Sequence, residues 1–114
     1  MFALLYGLKS ISPNALATKL GDDTLRVFDL NGIGRWEAAH VPGATHLAPD
    51  FSIADLPTDR STALVFYCSN PLCRKAPDAA RRARQMGFQD VRIMSAGIAG
   101  WIAAGHRTEP STVF

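Results

Sequence analysis

The chain has 114 residues, enough for one domain with a packed core and too few for two ordinary ones. With 47% hydrophobic and 19% charged residues it is unlike disordered chains, and a formal charge of +2 gives no argument for nucleic-acid binding. No apolar stretch approaches a membrane span, and the start, MFALLYGLKSISPN, lacks the basic region and cleavage site of a signal peptide, so a cytoplasmic location is expected.

Ser12 to Gly21 reads as a short helix, with a serine cap, Pro13 at the first helical position, Leu16 and Leu20 one turn apart, and a glycine stop. Leu25 to Leu30, LRVFDL, reads as a strand closed by the turn pair Asn31-Gly32. GRWEAAH has the pattern of a short helix, VPGA that of a turn, and ATHLA that of a brief strand before a connection rich in proline and aspartate that runs through Arg60. Thr62 to Tyr67, TALVFY, is almost wholly apolar, as expected of a central strand covered on both faces. Ala76, Ala79, Ala80, Ala83 and Met86 then recur at helical spacing, with Arg81, Arg82 and Arg84 elsewhere around the helix, where charges of this kind usually form a solvated face. Pro77 is tolerable only in the first turn, which sets the helix start just after Cys73, and Gly87 is placed to end it. VRIMS predicts a further strand and GIAGWIAAG, Gly97 to Gly105, a last short helix. Alternating strands and helices predict an α/β fold: one parallel sheet with helices on both faces, in one domain over residues 1–114.

The two cysteines, Cys68 and Cys73, lie five positions apart between the central strand and its following helix. In a cytosolic chain such a pair is expected to be reduced, metal-bound or catalytic rather than a structural staple. Zinc calls for four ligands, and the three histidines, His40, His46 and His106, show no metal-ligand spacing with the cysteines, so no metal is expected. Cys68 falls at the carboxyl end of the central strand, where open α/β sheets bind ligands, and the amides of a tight loop and a helix start favour anions and thiolates there. Arg74 and Lys75 add positive charge beside it, and Arg35 is a weaker candidate for the same rim. Cys68 is therefore a candidate nucleophile, against the plain alternative of a small buried side chain ending a strand.

LRVFDLNGIGRWEAAHVPGATHL, followed by ALVFYCSNPLCRKAPDAARRARQMGFQDVRIMSAGIAGW, resembles a single-domain rhodanese, a sulfurtransferase family. The likeness spans roughly residues 10–105 and rests on the strand ending at Asp29, HVPGA at His40 to Ala44, the YC pair opening the loop, the alanine-rich helix ending in GF, and GIAGW at Gly97 to Trp101. It implies a parallel sheet with helices on both faces, and a Cys68 thiolate that takes the outer sulfur of a donor such as thiosulfate. The sulfur is then held as a persulfide and passed to a thiol or to cyanide, without a cofactor. It further implies a cradle of backbone amides over Ser69, Asn70, Leu72, Cys73 and Arg74, with Arg74 and Lys75 helping to hold the donor. Asn31 and Ala39 depart from the family's usual arginine and glycine. The loop also lacks glycine, and Pro71 removes one amide donor from it, which counts against thiosulfate as the donor.

Other chemistries fit the same residues. Cys68 and Arg74 match the Cys-x5-Arg spacing of cysteine phosphatases and of arsenate reductases on this fold, although neither Asp78 nor Asp29 stands out as a general acid. Cys73 could resolve an oxidised or sulfur-loaded Cys68 by forming a disulfide, or simply fill the loop. A redox dithiol and a binding module therefore stay open. The expected partners are a small sulfur donor or a protein carrying a persulfide or thiol, with neither nucleic acid nor membrane.

Overall fold

The computed structural model describes residues 8–110, so the apolar start over residues 1–7 lies outside the described residues. Five strands form one parallel sheet: β1 (Lys9–Ser10), β2 (Leu25–Asp29), β3 (Thr45–His46), β4 (Ala63–Tyr67) and β5 (Val91–Ile93), in the order β1-β5-β4-β2-β3. Four α-helices accompany them, α1 (Pro13–Ala17), α2 (Ile33–Ala38), α3 (Lys75–Gln85) and α4 (Gly97–Ala103), with a 3-10 turn over Ile53–Asp55. This is the α/β architecture expected. Among the described residues no helix is long and apolar enough to cross a membrane.

β4 lies at the centre because nothing in it demands water. Its side chains alternate between two cores, as the period of a strand requires. Leu64, Phe66 and Cys68 join Phe28, Phe51, Phe88 and the α3 alanines Ala76, Ala79, Ala80 and Ala83 on one face. Val65 and Tyr67 join Leu16 of α1 and Trp101 of α4 on the other. Alanines along α3 let the helix approach the sheet closely, and the ring of Phe66 stacks between those of Phe28 (5.6 Å) and Phe51 (6.5 Å). Pro77 sits third in α3, within its first turn, where a missing N–H breaks no bond.

Boundaries differ where a side chain intervenes. The first helix stops at Ala17 rather than running to Gly21, because the Thr18 hydroxyl donates to the Ala15 carbonyl (2.7 Å) and caps the end. ATHLA contributes only Thr45 and His46 to the sheet. The connection before Arg60 holds the 3-10 turn, which is capped reciprocally by Ser52 and Asp55. Of the α3 arginines, Arg84 stays exposed while Arg82 is half-buried and bonded to the connection before Arg60. Arg82 donates to the carbonyls of Pro49 and Phe51 (2.6 Å each), with its guanidinium 4.2 Å from the Phe51 ring, and Arg84 donates to the Gln89 carbonyl (2.7 Å). Irregular segments leave carbonyls without ladder partners, and these side chains supply the donors.

The histidines are structural. His40 is buried, its Nδ1–H donates to the Trp36 carbonyl (2.7 Å), and its ring stacks on the half-buried Trp36 (4.5 Å). His46 donates from Nε2 to the Asn31 carbonyl (2.8 Å). His106, just after α4, donates to Asn14 Oδ1 of α1 (2.7 Å) while packing on Trp101.

Candidate active site

Cys68 follows β4 directly and is only 3% exposed. The first half of its loop is fastened to the start of α4, where helix amides lack intrahelical partners. The Cys68 carbonyl accepts from Ile98 N–H (2.9 Å) and the Ser69 carbonyl from Ala99 N–H (3.0 Å). The approach is so close that only glycine fits at the first residue of α4: Gly97 has φ +68°, and a Cβ there would lie 2.6 Å from the Ser69 and Asn70 backbone.

The second half of the loop is organised by Asn70. Its side-chain oxygen accepts from Leu72 N–H (2.9 Å) and its carbonyl from Cys73 N–H (3.1 Å), the double pattern of an Asx-type turn. Leu72 is thereby pushed outward, 88% exposed, and Cys73 is turned inward. Cys73 and Cys68 are joined as a disulfide with 6.4 Å between their Cα atoms. That distance is within the ordinary range for a disulfide. The Asn70 turn folds the loop back onto the end of β4 and so brings the two sulfurs together.

A pocket of about 270 Å³ opens at the carboxyl ends of β4, β5 and β1. Cys68, Asn70, Pro71 and Cys73 form its loop side, Ala76 and Pro77 its α3 side, and Met94, Ser95, Ile93 and Ser10 the remainder. Of the residues singled out from sequence, Cys68, Asn70 and Cys73 meet here. Ser69, Leu72, Arg74 and Lys75 belong to the same loop and helix start without lining the pocket. Arg35 is exposed on α2, after β2, and does not line it either. Ser95 was missed, although its position just past a strand end could have flagged it. For Ser10, on a two-residue edge strand, the sequence carries no such signal.

Beneath the other face, Asp29 and Tyr67 sit side by side on β2 and β4, both fully buried. The Tyr67 hydroxyl donates to Asp29 Oδ2 (2.6 Å) and accepts from Val41 N–H (3.0 Å), while Asp29 Oδ1 accepts from Asn31 N–H (2.7 Å). Burial holds the Asp29 carboxyl above its ordinary value, partly offset by the hydrogen bonds from Tyr67 and Asn31. Burial, then the Asp29 charge, pushes the Tyr67 hydroxyl far up, so it stays protonated as the donor. Asp29 is thus committed to a structural pair and takes no part in lining the pocket.

A five-stranded parallel sheet with helices on both faces is an α/β architecture, and the comparisons narrow it to one family. The sequence profile of the Rhodanese-like domain matches residues 12–104, and the chain belongs to this family. Among curated proteins, the HTH-type transcriptional regulator Rv0324 of Mycobacterium tuberculosis is 38% identical over 74 residues, which is 61% of this chain and 31% of the regulator. The chain therefore spans about a third of that relative's length. Among solved structures, the BH2092 protein of Bacillus halodurans is 20% identical with a TM-score of 0.81, over 94% of this chain and 80% of that one. A thiosulfate sulfurtransferase of Pseudomonas aeruginosa is 26% identical with a TM-score of 0.79, over 91% of this chain and 20% of that one. Structural neighbours on this fold include sulfurtransferases and a possible tyrosine phosphatase.

Proposed function

We propose that the protein is a sulfurtransferase in which the Cys68 thiolate takes a sulfane sulfur from a donor and holds it as a persulfide in the pocket. The observation that carries this reading is the position of Cys68, at the end of the central strand and inside a pocket large enough for a small donor. The nucleophile such a step needs is the Cys68 thiolate of the reduced protein. The pocket lining includes no lysine or arginine, and the Leu72 and Cys73 amides are occupied by Asn70. Both features favour an organic persulfide over the dianion thiosulfate as the natural donor. A donor of this kind, free or carried by a protein, belongs in a reducing compartment such as the cytoplasm.

The Cys-x5-Arg phosphatase reading has less support, because neither Arg74 nor any carboxylate is among the lining residues. The test is the intact mass of the reduced protein after incubation with thiosulfate and, separately, with a small alkyl persulfide. Cys68 is expected to gain one sulfur atom that cyanide removes, and Cys68→Ser to gain none while remaining folded. A Cys68→Ser variant that loads and transfers sulfur refutes the assignment. Turnover of an aryl phosphate by the reduced wild type, without sulfur loading, replaces it with phosphatase chemistry. An inert thiol under both conditions leaves a binding role.

A further inference from the structure

We infer that Cys73 resolves the persulfide on Cys68, so that sulfur leaves the site as hydrosulfide and the loop closes into the Cys68–Cys73 disulfide. The inference rests on the sulfur-carrying role proposed for Cys68. Three observations lead to it.

The first is that the product of such a step is the form the loop adopts: the two sulfurs are bonded at an ordinary Cα separation. No residue in the described part of the loop is forced to positive φ, so the backbone is not strained to bring them together. The second is that the bridge is not alone in folding the loop. Asn70 binds the Leu72 and Cys73 amides and would hold Cys73 facing Cys68 in the reduced protein as well. The third is access. Cys68 is 3% exposed, whereas Cys73 shares its pocket, so a sulfur held there is nearer to this internal thiol than to any bulky acceptor outside.

The step balances as follows. The Cys73 thiolate attacks the inner sulfur of the Cys68 persulfide, a new bond joins the two cysteine sulfurs, and the bond to the outer sulfur breaks. The outer sulfur departs with the electron pair and a proton as hydrosulfide. The two cysteines are oxidised by two electrons and the sulfane sulfur is reduced by two. A dithiol, whether a small molecule or a protein, then reduces the disulfide by thiol–disulfide exchange and restores both thiolates. The reaction that uses this protein must therefore be one that supplies persulfides and tolerates released sulfide, and it must be coupled to a dithiol-regenerating system.

The experiment is a single turnover of reduced, desalted, full-length protein under anaerobic conditions, using thiosulfate and, in parallel, a small alkyl persulfide. Sulfite or thiol release reports loading of Cys68, and hydrosulfide release reports resolution. The wild type is expected to release one hydrosulfide per loading event and to end with both cysteines refractory to alkylation. Cys73→Ser is expected to take up one sulfur atom and keep it, so the ratio of hydrosulfide to loading falls from about one to near zero until dithiothreitol is added. A Cys73→Ser protein that releases hydrosulfide at the wild-type ratio overturns the inference while leaving the sulfurtransferase reading intact. No loading of the wild type from either donor overturns both. Thermal melts of reduced Cys73→Ser and wild type, expected to coincide, separate a lost resolving thiol from a damaged fold.

Discussion

Replacing Gly97 with alanine probes how tightly the cysteine loop is seated. At φ +68° a residue with a Cβ loses about 1–2 kcal/mol relative to glycine. The new methyl would also stand 2.6 Å from the Asn70 nitrogen and from the Ser69 carbonyl carbon and oxygen, all backbone atoms that cannot rotate aside. Relief requires α4 to withdraw from the loop, weakening the bonds from Ile98 to Cys68 and from Ala99 to Ser69, each with a net worth of about 1 kcal/mol. The combined loss is about 3–4 kcal/mol, a large part of the roughly 5–15 kcal/mol that holds a domain together. Urea unfolding of the reduced protein measures it, with Gly34→Ala as the control: Gly34 lies within α2, and a Cβ there meets nothing within 4 Å. The control is expected to match or slightly exceed the wild type, since alanine favours a helix. A Gly97→Ala loss below about 1 kcal/mol would refute the reasoning, because the αL cost alone should reach that value.

Tyr67→Phe removes a hydroxyl that satisfies both Asp29 and the Val41 amide, and leaving buried polar groups unpaired is expected to cost about 2–4 kcal/mol in urea unfolding. The same variant should raise the Asp29 carboxyl further, which an NMR titration of its side chain would follow. Because burial already holds Asp29 above its ordinary 3.8, its stabilising contribution is complete below that value and is lost as pH rises through the folded value. The wild type is therefore expected to lose stability relative to Asp29→Asn across that window, and a relative gain would contradict the burial argument. Arg82→Met keeps the aliphatic stem but leaves the Pro49 and Phe51 carbonyls without their donors, so it should cost about 1–3 kcal/mol and speed proteolysis between residues 47 and 62.

The framework was legible because it is written in local signals. Ser12 accepts from the Ala15 amide (3.1 Å) as a helix cap should, Ala63–Tyr67 forms a strand buried from Leu64 onward, and Pro77 fixes the start of α3. Hydrophobic period and residue-specific backbone limits carry this information within a few positions of sequence. The place of Cys68 just past a strand end was legible for the same reason. What escaped depends on contacts between distant segments. Whether Cys73 faces Cys68 is decided by two hydrogen bonds to Asn70, and the role of Arg82 by where an irregular connection happens to pass. The burial of Asp29 against Tyr67 depends on a register between strands 38 residues apart. The capping box of Ser52 and Asp55 was readable, but it lay inside a stretch that proline and aspartate marked as loop.

The pocket is walled unequally. Cys68 just past β4 and Ile93 of β5 belong to its central part, whereas Ser10 stands on a margin strand of two residues, anchored by Leu8 in one core and Ile11 in the other and by the bond from Ile11 N–H to the Ile93 carbonyl (3.0 Å). So short a strand separates from its neighbour at a fraction of the free energy that unfolds the whole sheet. Outward movement of this margin would lengthen the cavity while Cys68 stayed pinned through its carbonyl to α4. The pocket thus has one yielding side among otherwise fixed walls, and the amides of Ser10 and Ile11 should exchange their hydrogens well before those of Val65 and Phe66.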